Sequence, residues 1–270
     1  MRIISICPSN TEILAYLGLE RNIIAVDDFS DWPQSIQHLP RLGPDLNIDM
    51  DKLESLQPDL VLASLSVPGM ERNVEELKRR EIPHIVLQPN SLDEIADSIR
   101  IVGQHTNTEQ KAEEAVQRYY DLIEKYQAIS ENITKKNIYW EWWPKPVFTP
   151  GKQNWLTDLS ALAGCRNVYS DIDKASIQTD WEDVRLKKPE HICLVWVGVA
   201  SKNVNPSVIT KRPNWTELEA VKNDQIHILE EPLFCRPSPR LLVGLQKLAS
   251  LMHPNDYPPF DEKNDKVGFQ

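Results

Sequence analysis

Hydrophobic periodicity changes twice along this chain, and that change limits its fold more than any other feature. Up to Leu87, short apolar runs alternate with helical patterns; from Leu92 to Ile129 only the helical period remains; after Asn137 the alternation resumes. Short apolar runs bounded by Pro, Asn or Asp read as buried strands, and apolar positions recurring every three to four residues read as helices. Strands are expected at residues 2–7, 23–26, 60–63, 84–87, 137–142, 191–197 and 225–229. Helices are expected at 8–17, 50–56, 71–80, 92–102, 108–129, 155–163, 181–186, 215–221 and 239–252. Ser9 or Asn10 is the expected cap of the first helix and Gly18 its stop. Strands alternating with helices imply largely parallel sheets covered on both faces. A helix over about 22 residues extends about 33 Å at 1.5 Å per residue, enough to leave one lobe and enter another.

The predicted class is therefore α/β: two Rossmann-like lobes with parallel sheets, joined by one long α-helix. The lobes are expected at residues 1–105 and 134–260, the connecting helix at 106–133, and a loose polar tail at 261–270. A chain of 270 residues is long enough for two lobes of about 120 each.

Composition narrows the function. The formal net charge of −10 is spread along the chain, which speaks against phosphate-backbone binding, so no nucleic-acid partner is expected. The nearest two of its nine glycines, Gly151 and Gly164, lie too far apart for a dinucleotide or phosphate loop. The six histidines stand alone and the four cysteines are widely spaced, so no metal site is expected and the thiols read as free and buried. No run is long enough to span a membrane. The apolar run after Met1 stops at Pro8, too short for a secretory signal. The expected location is therefore cytoplasmic, or extracytoplasmic if the natural start lies upstream of Met1. A monomer is expected.

Three segments carry a family likeness. Ile6-Cys7-Pro8-Ser9-Asn10-Thr11-Glu12-Ile13-Leu14 reads as a strand-to-helix start. Val26-Asp27-Asp28-Phe29-Ser30-Asp31-Trp32-Pro33, followed by Leu39-Pro40-Arg41-Leu42-Gly43, reads as a second strand and its loop. Leu53-x-x-Leu56-x-Pro58-Asp59-Leu60-Val61 leads into the third strand. In this order the segments resemble the class III substrate-binding proteins of ABC importers, over about residues 1–255. Glu141-Trp142-Trp143-Pro144, Phe148-Thr149-Pro150-Gly151 and Arg236-Pro237-Ser238-Pro239-Arg240 are similar to the cobalamin-binding branch.

The resemblance implies non-catalytic binding of a large ligand, cobalamin or another corrinoid, in the interlobe cleft, with no cofactor required and an ABC permease as a partner. An iron-chelate or haem binder of the same fold is the alternative ligand class. Candidate ligand contacts are Pro8, Ser9, Asn10, Phe29, Trp32, Trp142, Trp143, Trp196, Phe234 and Arg236. Flat rings suit a macrocycle, but Trp196 and one of the adjacent Trp142 and Trp143 are equally suited to the core. Family members can carry an acidic residue where Cys235 stands and aromatic residues near Leu42 and Ser64. Glu71 and Glu217 match the acidic residues with which the family docks on its permease; each also suits a first helical turn, where a carboxylate is favoured by the dipole. A separate reading is an enzyme using Glu141 and Asp31 as acid and base.

Overall fold

The computed structural model describes residues 1–261; most of the polar tail expected at 261–270 lies outside the described residues. The first sheet holds β1 (Ile3–Ser5), β2 (Ile23–Val26), β3 (Leu60–Ser64) and β4 (His84–Leu87), all parallel, in the order β2-β1-β3-β4. The second lobe contributes β5 (Lys136–Glu141), β6 (Trp143–Pro144), β7 (Val147–Pro150), β8 (Cys165–Asn167), β9 (Ser176–Thr179), β10 (His191–Leu194) and β11 (Ile226–Ile228). Its parallel sheet runs β11-β10-β5-β8. Read from the other edge, that is the strand order of the first sheet, so the lobes repeat one topology that the sequence does not display as a repeat.

Helices cover both sheets: α1 (Pro8–Tyr16), α2 (Met50–Ser55), α3 (Glu71–Arg79), α4 (Leu92–Thr106), α5 (Glu109–Ser130), α6 (Trp155–Leu162), α7 (Trp181–Leu186), α8 (Ser207–Thr210), α9 (Glu219–Lys222), α10 (Glu231–Phe234) and α11 (Leu241–Met252). The apolar stripe read from the sequence is the buried face of α5: Ala112, Ala115, Val116, Tyr119 and Tyr126 are buried, with Leu122 and Ile123 packed at its edge. Helix α4 folds back along α5 through Asn107 and Thr108, with Asn107 in the left-handed region at φ 55°. The crossing is close at Gly103, where a Cβ would stand 2.5 Å from that of Ala112.

One hydrophobic core runs through both lobes. It joins Ile3 and Leu62 of the first sheet, through α1, α4 and α5, to Trp140 of β5 and Leu245 of α11. Each lobe keeps a smaller core on its other face, around Val61 and Leu77 in one and around Tyr139 and Trp215 in the other. Because apolar side chains of both lobes share this core, prising the lobes apart would expose it and is opposed by the hydrophobic effect.

The structure departs from the sequence expectation in several places, and β8, α8 and α10 were not among the expected elements. The cap of α1 is Cys7, extended at φ −156°, ψ 137°, not Ser9 or Asn10; Pro8 at the first helical position lacks an N–H that would need capping. The helix expected at 215–221 is a 3-10 turn, Trp215–Glu217, and then α9, broken where Leu218 turns extended. An antiparallel sheet, β6-β7-β9, was not expected. Its segments carry Pro144, Pro146 and Pro150, which read as turns, and proline enters a sheet only at its margins.

Candidate functional site

The parallel strands of both lobes point their C-terminal ends at one interlobe cleft of about 730 Å3. Open α/β sheets place ligands there because the strand order reverses beside a central strand and opens a crevice. After β1 come Cys7, Pro8 and Ser9; after β2, Asp28, Phe29 and Asp31, then Asp45 and Leu46; after β3, Ser66, Val67 and Met70. The second lobe supplies the turn from Val197 to Ser201 after β10, and Glu230 to Pro232 and Cys235 to Pro237 after β11.

Of the residues named from sequence, the structure brings Pro8, Ser9, Phe29 and Arg236 together on the cleft wall. Phe29 is the exposed ring among them, with half its surface open to solvent. Its loop is pinned by the buried carboxylate of Asp27, which accepts the Phe29 N–H at 2.8 Å and the Ser30 hydroxyl at 2.5 Å.

The other named residues lie elsewhere, each for a physical reason. Asn10 is buried one turn into α1 and donates to the Ala63 carbonyl at 2.9 Å, tying the helix to the end of β3. Phe234 is fully buried, its ring 5.5 Å from that of Trp140. Trp142 packs on the shared core beside Trp155, on the face that Trp140 occupies, as strand alternation requires. Trp143 is exposed outside the cleft, because the chain turns into the β6–β7 hairpin after Glu141. Trp196 donates its indole N–H to Glu141 at 3.1 Å. Trp32 packs 5.5 Å from Tyr16 and beneath the Arg240 guanidinium at 4.7 Å, instead of facing the cleft. Glu71 and Glu217 are exposed, one on each lobe, and Glu71 accepts the Gly69 N–H at 2.7 Å.

Two buried carboxylates organise the surroundings. Glu141 accepts both terminal nitrogens of Arg212, at 2.7 and 2.8 Å, and the Tyr139 hydroxyl at 2.8 Å. Arg212 in turn lies over the Trp215 ring at 4.4 Å. Glu141 is sealed from solvent and Asp31 is on the cleft wall, so the structure does not put the two on a common space, as an acid–base pair requires. Glu12, on α1, crosses the lobe boundary: it accepts Arg236 at 3.2 Å, Arg240 at 2.9 Å and the Ser238 hydroxyl. Arg236 also reaches Asp31 at 2.5 Å and Glu231 at 3.3 Å, so this wall residue is an interlobe clamp before any ligand arrives. Glu12 lies in the segment of residues 6–14, and nothing local in the sequence marks its partners more than 220 residues away. The wall residues not expected from sequence follow strand ends, where the C-terminal end of each parallel strand marks them.

Burial raises the Asp27 carboxyl to about 6, against the hydrogen bonds from Ser30 and Phe29 that favour its charged form. The folded state therefore holds this proton more tightly than the unfolded chain, where aspartate titrates near 4, and stability contributed by Asp27 falls as pH rises from about 4 to about 6. Burial lowers His191 to about 4, which acts in the opposite sense over an overlapping range, so the comparison must be with a variant that keeps His191. Relative to Asp27→Asn, the wild type should lose about 3 kcal/mol of unfolding free energy over that window. A difference between the two proteins that does not change with pH, by urea denaturation at pH 4, 5, 6 and 7, would refute this.

All four cysteines are free thiols, three of them buried. Among the described residues no group of three or more His, Cys, Asp or Glu is placed to hold a metal ion, and no helix is long and apolar enough to cross a membrane.

Residues 3–233 match the family model described as periplasmic binding protein. The chain belongs to that family. A Bacillus subtilis relative named as an ABC transporter substrate-binding lipoprotein is 29% identical over 262 residues, spanning 95% of this chain and 81% of the relative. The vitamin B12-binding protein of Vibrio vulnificus is 27% identical over 252 residues, spanning 92% and 88%. The crystal structure of the periplasmic vitamin B12-binding protein of Vibrio cholerae superposes with a TM-score of 0.75 at 25% identity, over 92% of this chain and 95% of that one. This periplasmic binding protein is thus a solute-binding protein of the ABC-importer type. The relatives' names, one a lipoprotein and one periplasmic, lend no support to the cytoplasmic location expected from the N-terminal sequence.

Proposed function

We propose that this protein is a non-catalytic receptor that binds a corrinoid of the cobalamin class in the interlobe cleft and presents it to an ABC permease. The observation that carries this reading is the cleft: a cavity of about 730 Å3 at the strand ends of both lobes, with the Phe29 ring and the Leu46 and Val197 side chains exposed on its wall. That volume lies within the range of about 300–1,000 Å3 usual for small-molecule sites. A half-exposed phenylalanine in a concave site gains stabilisation when a flat macrocycle covers it. The B12-binding names of relatives at 25–27% identity support the corrinoid class. Glu71 and Glu217, exposed on separate lobes, are the acidic residues this reading assigns to permease contact.

Calorimetric titration with cyanocobalamin tests the proposal, with thermal unfolding as a second readout. Saturable one-to-one binding is expected, and at a hundredfold excess of free ligand over Kd about 2.7 kcal/mol of added stability. Phe29→Ala should weaken binding about tenfold while leaving the unliganded melting temperature nearly unchanged. Neither heat, spectral change nor thermal shift with cyanocobalamin would eliminate the corrinoid reading.

A further inference from the structure

The cleft wall is rich in negative charge. Asp28, Asp31 and Asp45 from the first lobe and Glu230 and Glu231 from the second line it, against the one guanidinium of Arg236. That cation is already engaged, by Asp31 and Glu231 on the wall and by Glu12 behind it. Lys247 pairs with Glu230 at 2.5 Å and Arg240 with Glu12, while Arg41 donates to the backbone carbonyls of Asp27 and Ser30. Asp28 and Asp45 have no ion pair among the described residues. Asp28 accepts the Gly43 N–H at 3.2 Å, and burial raises the Asp45 carboxyl against its backbone donors and the more distant Arg236 charge.

On a convex surface, solvent and salt would screen such charges. Here they surround a concave cavity whose remaining walls include Leu46, Val67, Met70 and Val199, and low-dielectric walls focus the field into the space a ligand must enter. A carboxylate brought into that space meets five wall carboxylates against one wall guanidinium that is already paired. An amide or an ammonium meets acceptors.

We propose that the cleft selects its ligand by charge, admitting neutral and cationic ligands and rejecting those that carry carboxylates, with Asp28 and Asp45 as the specificity-determining residues. The ligands excluded are porphyrins with free propionates and iron chelates built on carboxylates. This inference rests on the corrinoid reading and deepens it, because a corrinoid edged with neutral amides satisfies the requirement.

The test is a series of near-constant shape: cyanocobalamin, its derivative with one peripheral amide hydrolysed to a carboxylate, and the derivative with that carboxylate coupled to a diamine to leave one ammonium. Calorimetry in low salt should rank the ammonium derivative at least equal to the parent, and the carboxylate about tenfold weaker than the parent. The spread should shrink in 0.5 M salt, where screening is stronger. The double variant Asp28→Asn/Asp45→Asn, checked for native melting behaviour, should narrow the gap between carboxylate and ammonium to less than about threefold. Equal affinities across the series, or a gap that survives in the double variant, would overturn charge selection while leaving the corrinoid reading intact. Failure of every member to bind would remove both.

Discussion

Glu141→Ala is expected to lower the free energy of unfolding by about 3–5 kcal/mol, because it strands the Arg212 guanidinium in the interior of the second lobe. Both side chains are almost wholly buried, and the pair is bidentate, so neither charge has water to fall back on. Tyr139 and Trp196 would also lose the acceptor for their O–H and N–H. Urea denaturation at pH 7 measures the loss as a lower midpoint at constant slope. The asymmetry between breaking and replacing the pair supplies the control. Glu141→Leu/Arg212→Leu removes both charges and should recover much of the loss, since apolar replacement of a buried ion pair is often neutral or stabilising. A single variant as stable as the wild type would mean that Arg212 reaches solvent on its own. Such a result would contradict its stacking over Trp215.

The second large effect concerns the lobe boundary. Glu12 holds two arginines and a serine hydroxyl from a segment more than 220 residues away in sequence. Glu12→Ala is expected to cost about 3 kcal/mol, chiefly because Arg240 has no other carboxylate among the described residues, whereas Arg236 keeps Asp31 and Glu231. Adding Arg240→Leu to Glu12→Ala should then cost less than the sum of the single changes, with a coupling of about 1–3 kcal/mol by double-mutant cycle. Strict additivity would show that the clamp is not a unit. The clamp matters for function because Arg236 belongs to the cleft wall, so the contacts that fix the lobes also fix the charge a ligand meets.

Much of the architecture was legible beforehand, and for local reasons. The stripe from Ala112 to Tyr126 identified the buried face of α5, because side chains three and four apart share one side of a helix whatever the rest of the chain does. Runs such as Leu60 to Ala63 identified buried parallel strands, because only a sheet covered on both faces accepts apolar residues at consecutive positions. The stop at Gly18 was equally local: its φ of 70° is open to glycine at little cost. The β6-β7-β9 sheet was not legible, since its strands are short, proline-bearing and alternate weakly.

The candidate site divided along the same line. Pro8, Ser9 and Phe29, named from the family resemblance, lie on the cleft wall because they follow strand ends, a position fixed by the fold class. Most of the named aromatic residues lie off the cleft wall, because neighbours in sequence do not say whether a tryptophan will line a cavity or fill a core; Trp142 packs on the shared core and Trp32 under an arginine of the other lobe. By itself, then, the sequence determined two α/β lobes and a long connecting helix, both products of short-range periodicity, while the cleft at the strand ends followed from the family resemblance and from where open α/β sheets place ligands. Only the tertiary structure decided which charges are spent. Arg236 looked like a free cation for a ligand until Glu12, Asp31 and Glu231 closed around it, and a pairing between residues so distant in the chain exists only once both lobes have packed.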